Sequence, residues 1–249
     1  MGYALKGGFS NLRSMQMDAL EEMARSCFGY GRWEAPYWFI GLEEGMSGTL
    51  EDRIEAWRLL GSSTGLTDCR DFHHKIKDFK WHCKGAELQR TWRVLILLLL
   101  SHQGIASDKE NIRKEQIRDY QCTRLGRSDG EIALIELFGL PAKDLKAGLA
   151  QRQLHFSQKT LDSIYVQRRD AIHGKIRRHK PSFVVMYGAD GRKHFEILAG
   201  RDLKAWDIFK RGNTVMTFIP HPTSHGVTDE RWMKHALDWE YATHADEPR

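Results

Sequence analysis

Two short segments carry the residue types that do bond chemistry. One is Gly41-Leu42-Glu43-Glu44-Gly45, which sets two carboxylates between glycines. The other is Pro220-His221-Pro222-Thr223-Ser224-His225-Gly226, which holds an imidazole between two prolines. The glycines let backbone approach a ligand, and the prolines restrict the chain that carries the imidazole. Each segment follows an apolar run that reads as a strand. If those strands lie side by side, a carboxylate and a rigid histidine share one small pocket. Taken singly, each segment also suits a plain turn or a structural histidine.

The elements that must position these loops follow from hydrophobic spacing. Residues 11–28 read as a helix, with Leu12, Ala19, Leu20, Met23, Ala24 and Cys27 on one face and Gly29 and Gly31 to stop it. Tyr37-Trp38-Phe39-Ile40, framed by Pro36 and Gly41, is a buried strand. Thr49 caps a helix over 50–60, residues 86–102 form a mostly buried helix, and 108–118 form a polar surface helix. A second strand spans 131–138 after the turn Ser128-Asp129-Gly130. A long helix over 158–179 turns Leu161, Ile164, Tyr165, Ile172 and Ile176 inward and ends before Pro181. Residues 183–187 and 214–219 are the third and fourth strands, and 228–243 close the chain as a helix capped by Thr228.

Four apolar strands separated by helices predict an α/β fold. It is a three-layer α/β/α sandwich around a central, mainly parallel four-stranded sheet. No repeat or linker divides the chain, so residues 1–249 are read as one domain, with a helical N-terminal segment over 1–35 and a flexible tail over 244–249. In such folds ligands bind beyond the carboxyl ends of the strands, and both loops sit at such ends.

Charge suggests a partner. Lys and Arg outnumber Asp and Glu by 38 to 33, a net charge of +5 that means little until its distribution is considered. Arg168, Arg169, Lys175, Arg177, Arg178, His179 and Lys180 crowd one segment, and Arg192, Lys193 and His194 follow. Such clusters suit a polyanion; a solvated basic helix is the plainer reading. Cys27, Cys69, Cys83 and Cys122 form no C-x-x-C pair, which argues against a zinc ribbon or iron–sulfur site and for reduced thiols. The longest apolar run, Val94 to Leu100, is too short to cross a bilayer, and the first residues lack a signal-peptide core. The expectation is a cytoplasmic protein, monomeric, with no membrane, metal or cofactor.

Taken together and in this order, GLEEG at 41–45 and HPTSHG at 221–226 resemble the uracil-DNA glycosylase superfamily, whose members carry a Gly-rich acidic loop after the first strand and an HPS-type loop after the last. KPSFVVMYGADGRKHF at 180–195 is similar to that family's third strand and following helix. ALIELFGLPAK at 133–143 resembles the strand that supplies the base-reading side chain, and WHCKGAELQR at 81–90 the segment leading away from the base-stacking aromatic. Residues 46–80 have no counterpart in this comparison. The chain departs from the family in having Glu44 where many members have Pro, Thr223 for the serine of HPS, and Ile135-Glu136-Leu137 where Asn usually meets the base. Its cysteines do not follow the iron–sulfur pattern of some branches.

The resemblance implies a DNA glycosylase that needs no cofactor. Cleaving an N-glycosidic bond calls for an anion near the anomeric carbon and a hydrogen-bond donor for the departing base. Glu43 takes the first role with Glu44 as the backup, and His221 takes the second. The target must be flipped from the stack. Gly41 and Leu42 line its pocket, and Trp81 is the candidate wall, with Phe79 or Phe72 in its place if Trp81 is core. Thr223, Ser224, His225, Arg177, Arg178 and Lys180 are the candidate DNA contacts. Glu136 in the base-reading position favours an amino-bearing base such as a 5-modified cytosine over uracil, because a carboxylate accepts from N4. The superfamily includes both repair enzymes and defences against phage DNA with modified bases. The alternatives are a uracil or deaminated-base repair enzyme, a nucleic-acid-binding module without turnover, and a hydrolase of free nucleosides. Glu43 paired with His221 argues against the pure binder, which needs no acid beside a phosphate path.

Overall fold

A computed structural model describes residues 17–61, 63–142 and 152–244, without side-chain detail for 240–244. The chain is α/β, built on a seven-stranded mixed sheet. The first helix, α1, covers 17–26; the part of the expected helix before residue 17 lies outside the described residues. Then come β1 (Gly29–Tyr30), β2 (Tyr37–Gly41), α2 (Leu50–Leu60), β3 (Leu66–Thr67) and α3 (Cys69–Lys75). A 3-10 turn at Phe79–Trp81 leads to α4 (Arg90–His102), α5 (Glu110–Thr123) and β4 (Ile132–Glu136). The remainder is α6 (Gln158–His179), β5 (Phe183–Tyr187), a 3-10 turn at Ala189–Gly191, α7 (Arg192–Ala199), β6 (Asp207–Arg211), β7 (Thr214–Ile219) and α8 (Asp229–His244).

The four expected strands are the centre of the sheet, in the order β4-β2-β5-β7 and mutually parallel. The expected sheet of four is too small. β1 pairs antiparallel with β4, β3 pairs parallel with β1, and β6 pairs antiparallel with β7. The N-terminal segment is therefore not wholly helical. Gly29 is part of a strand at φ +124°, and a Cβ there would lie 2.2 Å from the Leu134 carbonyl oxygen, so glycine permits the close pairing of β1 with β4.

Each central strand is buried along nearly its whole length because both faces are covered. Phe39, Leu134, Val185 and Val215 join one cluster with α4, Trp232 and Trp239. Trp38, Ala133, Val184 and Met216 join the other with Ile172, Ile176 and Phe195. The period of two within each strand sends alternate side chains to opposite layers. Val94 to Leu100 is buried on every side, which accounts for its unbroken apolar run. No helix among the described residues is long and apolar enough to cross a membrane.

The parallel register sets the functional edge. Gly41 pairs with Glu136, and Tyr187 with Ile219. The loops after β2, β4, β5 and β7 thus emerge at the same end of the sheet.

Candidate active site

Those loops enclose a cavity of about 520 Å³. Glu43, Glu44, Glu136, Tyr187 and His221 line it, with Trp81 and Trp92 on one wall and Leu42 and Thr223 among the other contacts. Glu43 and His221, separated by most of the chain, therefore face one space.

The histidine is prepared as a donor. The Thr223 backbone N–H donates to His221 Nδ1 at 3.2 Å, and the Thr223 hydroxyl lies 2.8 Å from the same nitrogen. An N–H can only donate, so Nδ1 accepts and the ring proton resides on Nε2. A turn closed by Ser224 N–H on the His221 carbonyl at 2.8 Å shapes this loop. The ring stands edge-on to Tyr187 with centroids 5.8 Å apart. Partial desolvation there lowers the imidazole pKa against the opposing charge of Asp190, which favours the neutral ring. If the cavity cleaves the N-glycosidic bond that the sequence resemblance implies, replacing His221 by Ala slows base release about 10²–10³-fold, read by single-turnover assay on a duplex carrying the cleavable base. Thr223→Val, which removes the hydroxyl and keeps the backbone N–H, should cost far less. Equal losses would remove the tautomer argument.

The three carboxylates have different partners. Glu43 Oε2 accepts from Arg152 at 2.5 Å, and the Arg152 guanidinium also lies 4.7 Å from the Phe138 ring centroid. Glu44 is tied to the buried Arg53, accepts from the Tyr30 hydroxyl at 2.6 Å and faces His73 Nε2 at 3.8 Å. Glu136 has a buried Oε2 without a hydrogen-bond partner. Burial first, then the charges of Glu44 and Glu43, push its pKa well above the usual carboxylate range, against Arg168 and Arg53. Glu136 is thus favoured as a neutral acid, both donor and acceptor. Arg168 does not neutralise it: this arginine donates to the backbone carbonyls of Ala24, Glu136 and Leu137.

Gly41 is required for a different reason from ligand approach. A Cβ there would lie 2.4 Å from the Tyr187 hydroxyl oxygen and 2.9 Å from Glu136 Oε2. Trp81 is half-buried, edge-on to Trp92 at 6.1 Å, with the Lys80 ammonium 4.7 Å from its ring centroid. The alternative walls are elsewhere: Phe72 is core, and Phe79 is exposed and packs beside His74. Thr223 and His225 are exposed on the mouth loop, with Ser224 half-buried.

The basic cluster is not part of this site. α6 ends just before β5 begins, so Arg177, Arg178 and Lys180 stand at the amino ends of the strands, opposite the cavity. His179 beside them faces Glu34, which precedes β2. Arg168, counted in the same cluster, is fully buried. A run of charge along a helix does not say which end of the sheet it reaches. Arg192 and Lys193, exposed at the start of α7, do lie on the cavity's side.

Sequence reasoning missed Arg53, Arg152, Tyr30, Tyr187 and His73. Arg152 is 109 positions from Glu43, and no local pattern marks it. All four cysteines are free thiols. Cys69 packs with His73 and His82 in a buried cluster next to Glu44, the one group among the described residues with the make-up of a metal site.

No family model matches the chain, and no curated protein does.

Proposed function

We propose that the protein is a DNA glycosylase that flips a base into the cavity and hydrolyses its N-glycosidic bond. The observation that carries this reading is the pairing of a histidine whose proton resides on Nε2 with an ion-paired carboxylate in one cavity. Water adds to the anomeric carbon while the carbon–nitrogen bond breaks, and the bonding pair leaves with the base. Glu43 orients the water, takes its proton and offsets the positive charge on the sugar. His221 Nε2–H donates to the base oxygen as negative charge develops there. The base leaves as an anion and takes a proton from solvent, Glu43 returns its proton to solvent, and the products are a free base and an abasic site. Trp81 stacks on the flipped base, and Thr223, Ser224 and His225 meet backbone phosphates at the mouth with Lys80 and Arg192 nearby.

A 5-modified cytosine is the favoured target. A cavity of about 520 Å³ is in the range that takes drug-sized ligands and leaves room beside a pyrimidine for a substituent. Glu136 as a neutral acid accepts from N4 through its carbonyl and donates to N3 through its hydroxyl. The same acid satisfies uracil by exchanging the two roles, so uracil remains the alternative and the room at the 5-position is what separates them.

Glu136→Gln keeps this shape and cannot ionise. It is expected to retain release near neutral pH. In the unmodified protein, raising the pH ionises Glu136 and removes its donor, so activity falls on the alkaline side; Gln should abolish that fall. Glu136→Ala should lose about 1–3 kcal/mol, roughly 5- to 150-fold. Loss of activity at neutral pH in Glu136→Gln would mean that the residue works as a carboxylate. The overall reading is tested by incubating the protein with DNAs containing uracil, hypoxanthine, xanthine and 5-substituted or glycosylated cytosines. Alkali cleavage and mass identification of the released base follow; no release from any of them would overturn it.

A further inference from the structure

Cys69 and His73 lie four residues apart on α3, so both side chains share one face of that helix. His82 follows the 3-10 turn that carries Trp81. All three are buried, and one ligand atom from each lies within 4.8 Å of those of the other two. Cys69 Sγ is 3.7 Å from His82 Nε2. Tetrahedral zinc with sulfur at about 2.3 Å and nitrogen at about 2.0–2.1 Å sets these atoms roughly 3.6 Å apart. His73 Nδ1 lies 2.7 Å from the Cys69 carbonyl oxygen. The same Nδ1 is 3.7 Å from Cys69 Sγ; a proton on Nδ1 donated to the carbonyl leaves the lone pair on Nε2, and a proton on Nε2 leaves it on Nδ1, so either nitrogen can serve as the ligand.

We propose that Cys69, His73 and His82 bind one zinc-class transition-metal ion that fastens the Trp81 segment to α3. Carboxylates stand near the cluster: Glu44 Oε1 lies 3.8 Å from His73 Nε2. Asp68 caps α3, and Asp78 lies beside the same cluster; Arg53 and Arg127 are the opposing charges. Thiolate and imidazole select zinc, cobalt or a neighbouring transition metal over magnesium or calcium, which take oxygen ligands. Binding displaces the thiol proton of Cys69 to solvent. Because His82 is next to Trp81, the ion would hold a wall of the cavity without touching a reacting atom.

The test needs no activity. The untagged full chain, purified without chelator, is assayed for metal by mass spectrometry, then stripped and titrated with cobalt(II). About one zinc per chain, and an intense near-ultraviolet thiolate-to-cobalt band with tetrahedral visible bands, are expected. Cys69→Ser should lose the near-ultraviolet band, and His82→Asn should weaken uptake at least tenfold. A metal-free chain that takes up neither zinc nor cobalt at micromolar concentration overturns the proposal. So does a cobalt spectrum that Cys69→Ser leaves unchanged. The spectrum of the unmodified chain decides the matter if either variant fails to fold.

Discussion

Replacing Glu43 by Gln is expected to slow base release by about 10²–10⁴-fold, the usual contribution of a positioned general base, while DNA binding persists. Gln keeps the length of the side chain and still accepts from Arg152. It loses the negative charge that faces the sugar and the ability to take a proton from water. Single-turnover release and a separate binding titration divide the two effects. Glu44→Gln is the necessary companion. Glu44 is held by Arg53 and the Tyr30 hydroxyl and Glu43 by Arg152, so the reacting role of Glu43 rests on its place in the resembled loop, and the two variants decide between them. A large loss in Glu44→Gln, with near-normal release in Glu43→Gln, would exchange the two roles. If neither variant slows release, the glycosylase reading fails.

Arg53→Met is expected to destabilise the fold by about 3 kcal/mol. Removing one partner of a buried ion pair leaves the other uncompensated, at a cost of roughly 3–5 kcal/mol. The lower end applies because the Glu44 side chain keeps 20% of its exposure while Arg53 keeps 1%. Arg53 also donates to the Ser47 carbonyl and hydroxyl, each at 3.2 Å. For a domain of this length the midpoint of thermal unfolding should fall by roughly 6–12 °C. Adding Glu44→Gln to Arg53→Met should recover part of that loss, since the stranded charge is gone. A midpoint within about 2 °C of the unmodified protein would show that the pair is solvated and contributes little.

The central strands were legible because each is an apolar run between punctuating residues. Pro36 and Gly41 bound one, and Pro181 and Gly188 another. β1 and β3 were not legible: two residues carry no periodicity. β6, Asp-Ile-Phe-Lys-Arg, reads as polar because it is an edge strand that is only half-buried along most of its length. The loops of the candidate site were legible by residue type, and parallel strands brought their ends together as the pattern implied. What their side chains touch was not. Arg152 and Glu43 are local only in space, as are Cys69 and His82 across the turn that carries Trp81.

By itself, then, the sequence determined the α/β class, the four central strands and the loops that leave their carboxyl ends. Those features follow from side-chain period and from glycine and proline, which act over a few residues. The tertiary structure alone decided that Arg168 is buried, that Arg177, Arg178 and Lys180 lie at the far end of the sheet, and that burial beside Glu44 and Glu43 raises the pKa of Glu136. Desolvation and charge interaction depend on distance through the folded chain, and separation along the sequence does not encode that distance.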